Sequence, residues 1–275
     1  MPNDPLILAP EGSIERLRAI MRALRDPETG CPWDIEQDFS SSAPYTIEEA
    51  YEVEDAITQK DWRALEGELG DLLLQVVYHA QIGEEAGHFT FGSITRIISD
   101  KMVSRHPHVF GDANRDKTAE DQVADWEKVK AAERAARNQS GVLDDVALGL
   151  PALMRAVKLQ KRAARVGFDW PETSLVLEKI IEESRELVEA RKTLGHSEQV
   201  EEFGDLLFVM ANLARHLQID PEAALRAANA KFTRRFRAIE AALAETDRRP
   251  EDSTLEEMDA LWNAAKAREK QNATR

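Results

Sequence analysis

The sequence predicts an all-α protein made of two tandem copies of one helical module. Three observations lead there. Apolar residues recur at helical steps along nearly the whole chain, aromatic residues make up only 6% of the 275, and one arrangement of acidic residues occurs twice. Gly and Pro are few, 13 and 11, whereas an all-β sandwich needs many turns and many β-formers.

Ile14, Leu17, Ile20, Met21 and Leu24 step by three and four, which predicts a first helix with Ser13 as its N-cap. Asp26-Pro27 and Gly30-Cys31-Pro32 then break the pattern, and a loop is expected to about Pro44. Helices follow from after Thr46 to about Gln59, from Trp62 to Glu85 with Gly87 as the stop, from Phe91 to Ser104, and from Thr118 to Arg137. Polar residues at 138–141, followed by Gly149 and Pro151, mark a linker over 138–150. That leaves an N-terminal module at 1–137 and a C-terminal module at 151–275. The second module reads as helices at 152–166, 174–193, 198–217, 221–244 and 254–270, with a loop from Gly167 to Pro171.

The repeat is clearest in its acids. A shift of 134 residues carries Glu49, Glu52, Glu68 and Asp71 onto Glu183, Glu186, Glu202 and Asp205. The same shift carries Gly70-Asp71-Leu72-Leu73 onto Gly204-Asp205-Leu206-Leu207. Downstream the order continues with small insertions: Lys101 and Arg105, then Trp126 and Lys130, answer to Lys231 and Arg235, then Trp262 and Lys266.

Residues three apart on a helix share a face. With a tight turn near Lys60-Asp61, Glu52 and Glu68 each lie roughly 11 Å back along their helices at about 1.5 Å per residue. Antiparallel helices pack about 8–10 Å apart, so the two acidic pairs can face one another. A turn near Gly195 gives the second copy the same hairpin. Four converging carboxylates repel unless a cation neutralises them. All-oxygen donors favour Mg²⁺, with Mn²⁺ as a substitute, over Zn²⁺. A di-iron site would need Glu-x-x-His, and the fourth position here is Asp.

The cations Lys231, Arg234 and Arg235 fall within little more than one helical turn and suit phosphate oxygens, Arg in bidentate fashion. Lys101 and Arg105 repeat the idea. Trp126 and Trp262 can stack on a base or pack a helix end, and Lys130 and Lys266 lie one turn beyond them. Trp33 and Trp170 sit in matching loops before the acidic helices, whereas Trp62 has no repeat partner and reads as structural. The histidines form no ligand spacing, and no Walker-type glycine loop is present.

A net charge of −15 argues against nucleic-acid and anionic-membrane partners, but a divalent cation can still bridge carboxylates to a phosphorylated small molecule. One cysteine, no signal-peptide pattern and no long apolar run give a soluble, cytoplasmic reading.

Several longer motifs occur in order: Gly30-Cys31-Pro32-Trp33-Asp34, Pro44-Tyr45-Thr46-Ile47-Glu48-Glu49, Gly67-Glu68-Leu69-Gly70-Asp71-Leu72-Leu73 and Arg105-His106-Pro107-His108-Val109-Phe110-Gly111. The second half adds Glu201-Glu202-Phe203-Gly204-Asp205-Leu206-Leu207 and Asn229-Ala230-Lys231-Phe232-Thr233-Arg234-Arg235-Phe236. Together these resemble the MazG family of nucleoside triphosphate pyrophosphohydrolases, and the likeness runs from about Ser13 to Lys266. The resemblance implies an all-α pyrophosphatase fold, a homodimer, and hydrolysis of (deoxy)nucleoside triphosphates to monophosphate and pyrophosphate. It also implies broad base tolerance and clearance of nucleotide pools. By motif, Glu183, Glu186, Glu202 and Asp205 become metal ligands, and Lys231, Arg235, Trp262 and Lys266 nucleotide contacts. A departure stands at Glu198-Gln199-Val200, where family members can carry a Lys.

A spare carboxylate, Glu182 or its counterpart Glu48, is placed to accept a proton from the attacking water. The richer basic helix, with its extra Arg234, makes the C-terminal module the expected catalytic one. Two alternatives stand beside this reading: a base-selective deoxynucleotide pyrophosphatase related to the helical dUTPases, and a non-catalytic nucleotide-binding regulator.

Overall fold

The computed structural model describes residues 4–112, 114–116, 118–136 and 141–273, apart from the side chains of 123, 124, 128, 130–132, 134–136, 272 and 273. Arg137 and residues 138–140, where the expected linker begins, lie outside the described residues. Among the described residues there is no strand. The chain divides into two compact units, Met1–Val129 and Lys130–Arg275.

Helices in order are α1 (Ile14–Leu24), α2 (Pro32–Glu36), α3 (Phe39–Gln59), α4 (Trp62–Glu85), α5 (Phe91–Arg105), α6 (Pro107–Phe110) and α7 (Ala119–Ala136). They continue as α8 (Ala152–Ala164), α9 (Thr173–Thr193), α10 (His196–His216), α11 (Pro221–Ala244) and α12 (Leu255–Ala273), with a 3₁₀ turn at Pro250–Asp252. The expected loop from Asp26 to Pro44 is therefore wrong over most of its length. Asp38 starts α3 with a capping box: its carboxylate accepts from the Ser41 N–H at 2.8 Å, and its own N–H donates to Ser41 Oγ at 2.9 Å. Pro44 then lies inside α3, removing one backbone donor without ending the helix. Pro32 and Pro107 open α2 and α6, where a proline's missing N–H costs nothing.

The most extensive packing in each unit is a helical hairpin, α3 on α4 and α9 on α10. Lys60 takes a left-handed conformation (φ 57°) to end α3, and the Asp61 carboxylate caps α4 by accepting from Arg63 and Ala64 N–H. Leu194 and Gly195 make the matching turn before α10.

In the first unit the core gathers Met21, Val77, Tyr78 and Ile82, with Ile14, Leu17, Phe39, Leu74 and Phe91 around them. A Cβ at Gly83 would fall 2.3 Å from the Phe89 ring, so a larger residue there has to displace that ring. Arg25, its side chain only 6% exposed, pairs with Glu85 at 2.7 Å and donates to the Gln37 carbonyl at 3.0 Å. Tyr78 donates its hydroxyl proton to the Asp34 carbonyl at 2.9 Å. These bonds pin the Trp33-bearing segment to the end of α4. The second unit does the same job with other residues. Asp169 accepts from Arg215 and contacts His216 at the end of α10, and Arg215 also donates to the buried Asn212 at 2.8 Å.

Each hairpin also presents an apolar row to the outside of its unit. Leu69, Leu73 and Val76 on α4 are 50%, 43% and 39% exposed, and their counterparts Phe203, Leu207 and Met210 on α10 are 52%, 42% and 48% exposed. Trp62, read from the sequence as structural packing, is exposed within its unit.

Candidate metal and phosphate site

The hairpins bring the acidic residues of each copy together. Carboxylate oxygens of Glu49, Glu68 and Asp71 lie within 4.8 Å of one another, and so do those of Glu183, Glu186 and Glu202. The fourth member of each set is close enough to be felt. Glu52 shares a hydrogen bond with Glu68, and Asp205 acts electrostatically on Glu202. Burial, followed by the charges of Asp71, Glu52 and Glu68, pushes the Glu49 carboxyl above the usual range. Burial and then Glu52 and Asp71 do the same to Glu68. In the second copy burial and then Glu186, Glu183 and Asp205 raise Glu202.

The copies differ in one cation. Lys179 on α9 lies 2.7 Å from both Glu182 and Glu183, and these carboxylates raise its own pKa. A shift of 134 residues places Tyr45 at the equivalent position of the first copy. The C-terminal set thus carries an internal counter-charge that the N-terminal set does not take from this position. Sequence reading passed over Lys179, although a Lys three and four residues before two glutamates is a recognisable helical ion-pair spacing. Glu182, the expected proton acceptor, is the carboxylate that this lysine holds on the solvent side.

The basic residues are placed on other helices. Lys101 and Arg105 lie on α5, which packs on α4. Lys231, Arg234 and Arg235 lie on α11, which packs on α12 and, less extensively, on α8. Arg235 lies over the Trp262 ring, its Cζ 5.3 Å from the centroid, and Phe232 tilts against the same ring at 5.4 Å. Lys231 and Lys266 are exposed. Among the described residues no ion pair joins Lys231, Arg234, Arg235 or Lys266 to the acidic set. Trp126 donates its indole N–H to the Arg105 carbonyl at 3.0 Å and meets His106 edge-on, a packing contact at the end of α5. The Lys130 side chain lies outside the described residues. Trp33 is exposed and touches Tyr45 edge-on, while Trp170 is half-buried.

Comparison with known proteins follows the same division. Residues 37–110 match the MazG nucleotide pyrophosphohydrolase domain, and residues 150–232 match the phosphoribosyl-ATP pyrophosphohydrolase family. A nucleoside triphosphate pyrophosphohydrolase of Escherichia coli is 50% identical over 258 residues, 93% of this chain and 98% of that protein. The chain belongs to the MazG family. A second MazG protein, the nucleoside triphosphate pyrophosphohydrolase/pyrophosphatase of Thermotoga maritima, is 43% identical over 92% of this chain and 95% of its own. YabN of Bacillus subtilis, an uncharacterised protein, is 46% identical over 93% of this chain but only 52% of its own length. The MazG match ends at Phe110, so it contains Glu49, Glu52, Glu68 and Asp71 together with Lys101 and Arg105. The second match contains the four C-terminal carboxylates and ends just after Lys231. Among the described residues no helix is long and apolar enough to cross a membrane.

Proposed function

We infer that this chain hydrolyses nucleoside triphosphates to monophosphate and pyrophosphate, using Mg²⁺ or in its place Mn²⁺. The observation that carries the reading is the pair of three-carboxylate clusters, each within 4.8 Å, which share two corresponding positions of a duplicated hairpin, Glu49 with Glu183 and Glu68 with Glu202. The clusters fit a hard divalent cation, because every donor is an oxygen and the like charges are already strained toward protonation. Glu183, Glu186, Glu202 and Asp205 would hold it in the C-terminal module, and Glu49, Glu52, Glu68 and Asp71 in the N-terminal one. When bound, such a cation supplies phosphate polarisation and a more acidic water.

The chain's own groups do the rest. Lys231 and Arg235 bind β and γ phosphate oxygens, with Trp262 steadying the Arg235 guanidinium from below. Lys266 and the exposed Arg234 add positive charge beside them. Glu182 meets Lys179 through Oε1, which leaves Oε2 to face the attacking water. Recognition built on phosphates rather than base edges favours broad base tolerance and a role in nucleotide-pool clearance. The homodimer is supported by the exposed apolar rows on α4 and α10, and a cytoplasmic site by a chain with one cysteine. The modules divide at the linker over 138–150, with the C-terminal one catalytic.

The test follows products by ³¹P NMR with each common NTP and dNTP. Monophosphate and pyrophosphate in equal amounts, dependent on Mg²⁺, are expected. Orthophosphate release refutes the reaction type, and turnover of one base alone refutes broad tolerance.

Metal binding carries its own pH signature. Carboxyls raised above their unfolded-state values bind protons more tightly in the folded chain. Their charged forms therefore cost stability as pH rises through the raised values, and a bound cation removes that cost. Adding Mg²⁺ to chelator-treated protein should raise Tm most near pH 8 and progressively less toward pH 5. At 100 times Kd the gain is about 2.7 kcal/mol, roughly 10 °C. A gain that does not change with pH would place the metal elsewhere.

A further inference from the structure

We propose that Glu269 is a positioning residue that sets Arg235 for phosphate binding. The proposal rests on the reading of α11 given above. Glu269 is the carboxylate that the adjacent arginines Arg234 and Arg235 share: Arg234 Nε donates to Oε1 at 2.7 Å and Arg235 Nε to Oε2 at 2.8 Å. A guanidinium nitrogen of Arg235 also reaches the second oxygen at 2.8 Å.

The two arginines are held differently. Arg235 keeps only 14% of its side-chain surface exposed and has Trp262 under its face, while Arg234 is 62% exposed. Trp262 and Glu269 therefore grip Arg235 from two directions, face and edge. An arginine carries about 2 kcal/mol of rotamer entropy, and a side chain ordered in advance does not lose that freedom when phosphate arrives. Two of its nitrogens face Glu269, and the remaining Nη is the donor group left for a phosphate oxygen. The arginines in turn hold the Glu269 carboxyl below the usual range, Arg234 first and Arg235 second, so the clamp stays charged at neutral pH.

The duplication supplies an independent observation. Trp262, Lys266 and Glu269 occupy one face of α12 at steps of four and three, and Trp126, Lys130 and Glu133 repeat that spacing in α7. The repeated pattern is Trp-x-x-x-Lys-x-x-Glu, one acidic position longer than the pattern first read from the sequence. The acidic position keeps its register with the tryptophan in both copies.

The experiment compares wild type, Glu269→Gln, Glu269→Asp, Arg235→Ala and the Glu269→Gln/Arg235→Ala double variant in the full chain. The substrate is ATP with saturating Mg²⁺, and thermal melting is recorded for each protein. Glu269→Gln is expected to raise KM about 10-fold with kcat changed less than about 3-fold, the loss of roughly one bond's worth of binding. Glu269→Asp should recover part of it, and the double variant should be no worse than Arg235→Ala alone. An unchanged KM in Glu269→Gln beside a raised KM in Arg235→Ala would overturn the positioning role and leave the phosphate site standing. A lowered KM would make Glu269 a competitor of phosphate, and additive losses would make it act apart from Arg235; either result also overturns the proposal. If Arg235→Ala itself changes nothing, the reading of α11 fails and the proposal fails with it.

Discussion

Glu202→Ala is expected to lower pyrophosphate release by the full chain at least 100-fold, while Glu68→Ala leaves most of the activity in place. The magnitude follows from losing cation-based charge stabilisation worth several kcal/mol, at about 1.4 kcal/mol per factor of ten. Glu202 is the natural choice because it belongs to the three-carboxylate cluster and, after burial, the charges of Glu186, Glu183 and Asp205 raise its carboxyl. Removing it also relieves repulsion, so Tm in chelator should hold steady or rise. That combination, chemistry lost and fold kept, separates a ligand from a scaffold residue. The reverse pattern, with Glu68→Ala inactive, would move catalysis to the N-terminal module. Full activity in both variants would remove the carboxylate clusters from the reaction.

Leu207→Glu is expected to break the proposed homodimer, raising its dissociation constant by about 1,000-fold or more. Exposed apolar area is the reason. Leu69, Leu73 and Val76 on α4 and Phe203, Leu207 and Met210 on α10 form exposed apolar rows, and a second copy of the chain can cover such a row. Leu207 lies in the middle of the α10 row, between Phe203 and Met210, and an unpaired carboxylate there would be desolvated without a partner. Light scattering coupled to size exclusion reads the result directly. Leu73→Glu makes the same test of α4, and a wild-type chain that is monomeric at micromolar concentration would refute the pairing.

The acidic hairpins were legible from spacing alone, because helix geometry turns steps of three and a short turn into a shared face. The start of α3 was hidden for a local reason. Prolines at 32 and 44 read as stops, although one opens a helix and the other is carried inside one. The outward rows were hidden for a different reason. From Leu72 to Val77 almost every residue is apolar, so periodicity cannot tell Val77, which is buried, from Leu73 and Val76, which are not. The ties at Arg25–Glu85 and Asp169–Arg215 join residues about 46–60 positions apart, and no local pattern announces them. The partners of Arg235 were half visible: Trp262 was in the pattern and Glu269 was not. Sequence also left the acidic and basic groups as one expected site, whereas they stand on different helices, with no ion pair between the α11–α12 cations and the acids among the described residues.

The two-residue turns at Lys60-Asp61 and Leu194-Gly195 have a consequence for how such a chain can change over time. Glu52 and Glu68 are read against each other across the turn, so one inserted residue would rotate α4 by about 100° and carry its acids off the shared face. The offset between copies stays at 134 through both hairpins but becomes 130 at Lys101 and Lys231 and 136 at Trp126 and Trp262. Insertions and deletions have accumulated where helices merely follow one another. Across the turns between the acidic helices, the residues differ between the copies and the length does not.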